Sequence, residues 1–173
     1  MLESWHEFYA LLGTAAAALV ALLFVAASIG ANVFTAESAG ATRTYMSPVV
    51  FHYTNILFLS LIALIPDQTQ QSFGITLAVA ALGSLAYSLV ICVRVMRHSL
   101  SDLADRLAYG CVPLVAYSAG VAASGLLLTG HKAGLDVLAG AALLLLVVNI
   151  RNAWDLMLSL ARRNAQKINP PNS

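Results

Sequence analysis

Long apolar runs, almost free of charge and separated by short polar stretches, set the pattern of this chain. They extend from Phe8 to Gly30, Pro48 to Ile65, Ser72 to Met96, Ala108 to Thr129 and Gly134 to Ile150. Each is close to the ~20 residues that a helix rising ~1.5 Å per residue needs to cross ~30 Å of hydrocarbon. Because a segment inside lipid must satisfy its backbone internally, these runs are expected to be helices. The pattern therefore predicts an all-α fold, an integral membrane bundle of five transmembrane helices. The second run is short and carries His52 and Asn55, which makes it the least typical span.

Charge orients this bundle. With the N-terminus outside, the inner segments hold Arg43, then Arg94, Arg97 and Arg106, then Arg151, Arg162, Arg163 and Lys167, and the outer side keeps Lys132. Short loops rich in Lys and Arg stay on the cytoplasmic side, so the N-terminus is expected outside and the C-terminus in the cytoplasm. Residues 1–161 then form a single transmembrane domain. Residues 162–173 form a short tail, basic at first and then rich in Pro and Asn, suited to rest on an anionic inner leaflet.

Composition narrows the picture further. A chain of 173 residues that is 60% hydrophobic and 10% charged has no room for a separate soluble domain. It opens with Glu3 and Glu7 rather than basic residues, so its first apolar run is expected to be a retained span and not a removed signal. A net charge of +1 offers no basic patch for nucleic acid. Cys92 and Cys111 each lie near the same cytoplasmic loop and are expected at similar depth as free thiols. No ligand spacing for a metal is present, and no cofactor is expected.

Helices in lipid gain nothing from burying apolar surface, so small residues and polar contacts must join them. Small residues recur at four-residue spacing: Gly13, Ala17 and Ala21; Ala80, Ser84 and Ser88; Ala116, Gly120 and Ser124. These stripes are expected at helix contacts. Leu143 to Val148 is bulky all round and is expected to face lipid. Ser47 and Pro48 read as the N-cap and first residue of the second helix, Pro66 as its stop, and Pro113 as a bend early in the fourth. Trp5, Phe8 and Tyr9 fit an outer aromatic belt, and Tyr45, Tyr109 and Trp154 an inner one.

Sorted by depth, the polar side chains crowd the cytoplasmic third. His52 and Asn55 open the second helix, Arg94 closes the third, Arg106 precedes the fourth, and Asn149, Arg151, Asn152 and Asp155 close the fifth. Groups of this kind in hydrocarbon must converge on one another or reach water. Arg before Asp is the less favourable order for an i,i+4 pair, so Asp155 is expected to meet Arg94 or Arg106 from a neighbouring helix. The cluster is then either a buried ion pair locking three helix ends or a cytosol-facing site for an ion, lipid headgroup or partner peptide. His52 is expected to be neutral and bonded to Asn55 or a backbone carbonyl, with a proton relay through Asp155 as the alternative. His6, His98 and His131 are read as surface residues.

The opening Trp5-His-Glu-Phe-Tyr9, with Gly13 and the Ala-rich stretch from Ala15, resembles a group of small bacterial multi-pass membrane proteins. The segment Asn149-Ile-Arg-Asn-Ala-Trp-Asp-Leu156 resembles the closing motif of the same group. Some of its members carry the label "modulator of FtsH protease". The resemblance implies a bacterial inner-membrane protein that binds or regulates a membrane-anchored AAA protease, and assigns a role to no particular residue.

Among function classes, an enzyme is the least supported, since neither a Gly-x-Ser-x-Gly elbow nor a His-Glu-x-x-His pattern occurs. The expected function is a non-enzymatic interaction or regulatory subunit acting through its cytoplasmic polar cluster. The alternative is a homo-oligomeric ion or small-solute channel, in which symmetry would multiply the inner polar ring around an axis.

Overall fold

The computed structural model of the chain describes residues 3–29, 39–97 and 103–168, with the side chains of residues 29, 39–46, 105, 160 and 163–168 outside the described set. His98, read as a surface residue, and the side chains of Arg43, Tyr45, Arg163 and Lys167, which figure in the inner polar and aromatic pattern, lie outside the described residues. A 3-10 turn at Glu3–Trp5 leads into α1 (His6–Ile29), followed by α2 (Ala39–Ala63) and α3 (Gln70–Arg97). A single turn at Leu103–Asp105 and a π-helical segment at Arg106–Cys111 precede α4 (Val112–Leu128), and α5 (Ala133–Ile168) closes the chain. Four segments are long and apolar enough to cross a membrane: Glu3–Ser28, Gln70–Arg97, Arg106–Leu128 and Ala133–Ser159. The apolar part of α2, Ser47–Ala63, is shorter. The architecture is thus an all-helical bundle compatible with a multi-pass membrane protein.

Two helices run further than their apolar patterns. The start of α2 lies at Ala39, so Pro48 falls inside the helix instead of capping it. Apolarity marks where lipid begins, whereas a helix continues as long as its backbone bonds do. The same reason carries α5 to Ile168, since no Gly or Pro interrupts the chain between Ile150 and Pro170.

The connections are short and locally determined. Pro66 follows the end of α2, and the adjacent Asp67 takes a left-handed φ of 54°. At the end of α4, Gly130 adopts φ 84°, its N–H donating to the Leu127 carbonyl and that of His131 to the Leu126 carbonyl. This is a Schellman motif, and it needs a residue without a Cβ at that position.

Each helix finds its neighbours through a buried face. α1 packs along α2, α4 lies between α3 and α5, and α5 reaches back to α2. On α1 the buried positions are Tyr9, Leu12, Gly13, Ala16 and Leu23, while Ala17 and Ala21 of the predicted small-residue stripe are exposed. A four-residue step drifts about 40° around the helix each time, while alternating three- and four-residue steps stay on one seam. Gly13 alone of that stripe makes the close approach: a Cβ there would lie 2.9 Å from Ser60 Cβ. On α3, Leu77, Ala81, Ser84, Ser88, Ile91 and Val95 are buried at the same alternating spacing. The α4 stripe of Ala116, Gly120 and Ser124 is wholly buried, because a helix flanked on both sides buries a wide arc. The stretch expected to face lipid divides: Leu143, Leu144 and Val147 are exposed while Leu145 and Val148 are buried, and half of the apolar window of α5 is buried, the largest share among the four spans.

Candidate functional site at the polar end of the bundle

The ends of α3 and α5 meet at the π segment. Gly110 lies against Cys92, with a would-be Cβ 3.3 Å from Sγ, and Tyr109 Oη donates to the Asn152 carbonyl at 2.8 Å. Cys92 and Cys111 are free thiols within hydrogen-bond reach of each other, at the common depth expected. At the opposite end Gln70 Nε2 donates to the Leu127 carbonyl at 2.8 Å, and Trp5, Phe8 and Tyr9 form an aromatic cluster with centroids 5.1–6.3 Å apart.

Pro113 explains the most specific contact of the polar end. It sits in the first turn of α4, directly after the widened π turn, and donates no N–H to the carbonyls four and five residues before it, those of Tyr109 and Ala108. A carbonyl in a membrane interior without a donor is costly. Asn152 Nδ2 donates to the Ala108 carbonyl at 3.1 Å, so a side chain of α5 bonds the backbone beside the position where the proline N–H is missing. Together with the Tyr109 bond this makes a reciprocal clamp between α5 and the π segment. The expected bend at Pro113 takes the form of this π-to-α junction. Tyr109 is buried within the clamp and does not stand in an interfacial belt, whereas Trp154 is exposed as expected.

Two further polar pairs join helices higher in the bundle. His52, buried, has Nδ1 2.8 Å from Tyr117 Oη, linking α2 to α4. The expected partners of His52, Asn55 or a backbone carbonyl, are replaced by Tyr117, 65 residues away in sequence. Asn55 instead donates from Nδ2 to the Phe51 carbonyl at 3.0 Å and accepts from Ser84 Oγ at 2.7 Å, linking α2 to α3. Phe51 also stacks on Tyr87 with centroids 4.0 Å apart. Beside the Asn55–Ser84 bond lies a cavity of about 60 Å³ walled by small residues, including Ala81, Ala116, Gly120 and Ala142. Ser88 is buried on the same α3 face, while Ser124 Oγ bonds back to the Val121 carbonyl at 2.7 Å. Asn149 occupies the centre of the buried face of α5, and neither amide atom has a hydrogen-bond partner in the protein.

The charged members of the predicted cluster are arranged differently. Arg94 is exposed and Arg106 half-buried. Asp155 meets neither in the expected buried pair: its Oδ2 lies 3.3 Å from Arg151 Nη2 on its own helix, with the two side chains 40% and 44% exposed. The i,i+4 spacing brings the two together despite the less favourable order, and water screens them. With His52 bonded to Tyr117 and Asp155 to Arg151, the structure forms no His52–Asp155 relay. The polar end thus divides into buried groups, of which His52, Asn55, Ser84, Tyr109, Tyr117 and Asn152 tie helices of this chain together, and a rim of exposed charges. Sequence spacing missed Tyr109 and Tyr117 because both sit in apolar surroundings.

No protein-family model matches the chain, and no curated protein or solved structure shows significant similarity to it.

Proposed function

We propose that this chain is a non-enzymatic multi-pass protein of the bacterial inner membrane, N-terminus outside and C-terminus cytoplasmic, acting as an interaction or regulatory subunit through the charged rim of its polar end. The observation that carries this reading is the division just described. Buried polar groups such as Asn55, Ser84 and Asn152 are engaged within the chain, while Arg94, Arg97, Arg151, Asp155 and Arg162 face outward. α5 continues past Arg162, the last residue of this rim, to Ile168. A helix projecting from the bilayer with exposed charge suits recognition by a partner at the membrane surface, and the resemblance makes a membrane-anchored protease the first partner to test. The alternative, a homo-oligomeric channel, would need an outward face polar enough to line a water-filled path around the symmetry axis. The outward faces instead present Leu22, Phe24, Val79, Leu82, Val115 and Val147, which speaks against it.

The test is native mass spectrometry of the chain released from nanodiscs with its native lipids. One or two copies, together with a second membrane protein whose capture is lost in Arg162→Glu, is the expected result. A closed ring of identical subunits overturns the reading in favour of the channel.

A further inference from the structure

We propose that Cys92 and Cys111 form an oxidisable dithiol, which a hydroperoxide converts to a disulfide joining α3 to the π segment ahead of α4. The chain has two cysteines, and the fold brings both to one place although they stand on different helical elements. Cys92 is buried toward the end of α3 and Cys111 half-buried at the end of the π segment. Both are free, with their thiols within hydrogen-bond reach.

Gly110 makes this approach possible. A Cβ at that position would lie 3.5 Å from Cys92 Cα and 3.3 Å from its Sγ, so the two backbones meet with no side chain between them. A disulfide needs Cα atoms about 4.4–6.8 Å apart, a separation that only elements in such close contact supply. The remaining movement, from thiol contact to an S–S bond of about 2.05 Å, falls on a widened turn whose hydrogen-bond ladder is already irregular. Cys111 keeps part of its surface open, which gives a small oxidant a way to one sulfur, while Cys92 stands directly behind it.

The chemistry takes two steps. The Cys111 thiolate attacks one peroxide oxygen, the O–O bond breaks, water leaves and a sulfenic acid forms. The Cys92 thiol then attacks that sulfur, the S–O bond breaks, the S–S bond forms, and the thiol proton departs with the hydroxide as a second water. Two thiols thus lose two hydrogens while one hydrogen peroxide becomes two waters. The product ties α3 to the segment that Tyr109 and Asn152 already tie to α5, and it brackets the stretch carrying Arg94, Arg97 and Arg106. A bond formed only under oxidant is the kind a reducing compartment permits, transient and redox-sensing. The dithiol stands apart from the protein-partner reading, since its oxidation needs only the chain and the peroxide.

The test treats membranes containing the full chain with hydrogen peroxide, removes the oxidant, denatures the protein and labels it with a maleimide before weighing the intact chain by mass spectrometry. The expected product takes up no label, has lost two hydrogens, runs as a monomer without reductant and regains both labels after dithiothreitol. In Cys92→Ser the sulfenic acid on Cys111 has no resolving partner, so dimedone should capture it. Capture in the unaltered chain should be at least about tenfold lower, because a thiol held in contact makes the second step effectively unimolecular. In Cys111→Ser the buried Cys92 should stay labelled. Two labelled thiols after peroxide, a sulfinic acid on either sulfur in place of the bond, a disulfide between two copies, or equal dimedone capture with and without Cys92 overturns the proposal.

Discussion

Along α1, Thr14 and Ser28 bond back to the Ala10 and Phe24 carbonyls of their own helix, and the buried Tyr9 hydroxyl makes no hydrogen bond in the protein. At the polar end of α5, by contrast, Tyr109 donates to the Asn152 carbonyl and the Asn152 side chain donates to the Ala108 carbonyl, both across a helix boundary. One helix is held by the fit of Leu12, Gly13, Ala16 and Leu23 against α2, the other by fit together with polar ties. In lipid, fit acts through dispersion over a narrow seam and weakens steeply with separation. A hydrogen bond from one helix to a backbone carbonyl of another adds a directional requirement that fit does not.

The strongest test of this comparison acts on the packed seam. Gly13→Leu forces side-chain atoms into space where even a Cβ would lie 2.9 Å from Ser60 Cβ. Overpacking of this kind should lower stability by about 1–3 kcal/mol, read as a fall in melting temperature in detergent. An unchanged melt would mean that the α1 seam is looser than its geometry indicates.

A somewhat smaller effect is expected on the hydrogen-bonded side. Asn152→Leu leaves the Ala108 carbonyl short of a donor and should cost about 1–2 kcal/mol. In a Pro113→Ala background the restored N–H can reach that part of the backbone, so the same substitution should cost less. A double-mutant cycle on thermal unfolding measures the coupling, and strict additivity would refute the compensation between Asn152 and Pro113.

The smallest effect belongs to the surface pair. A buried ion pair would have made Asp155→Ala cost about 3–5 kcal/mol. With both partners 40% or more exposed, the loss should stay within about 1 kcal/mol. A large drop in melting temperature would show that Asp155 contributes to the interior as well as to the rim.

Much of the fold was legible along the chain because lipid imposes a strong one-dimensional constraint. Apolar runs of sufficient length predict helices, and the end of the second was readable from Pro66. Ser84, Ser88, Gly120 and Ser124 were placed on buried faces by their size and spacing. Ala17 and Ala21 were not, because a four-residue repeat leaves a narrow seam after two turns. The polar residues were found but not their partners. His52 pairs with Tyr117 and Asn152 with the Ala108 carbonyl, and nothing in local spacing relates positions so far apart.

Hydropathy by itself determined that this chain is helical and that its long apolar runs can cross a membrane, since each backbone must close its own hydrogen bonds in hydrocarbon; it counted five spans where four helices are long and apolar enough. Which helix lies between which, and which polar atoms meet there, was decided by tertiary structure alone. Small residues permit many close approaches of similar energy. Selection among them requires the simultaneous fit of side chains from several helices, a property that no single segment contains.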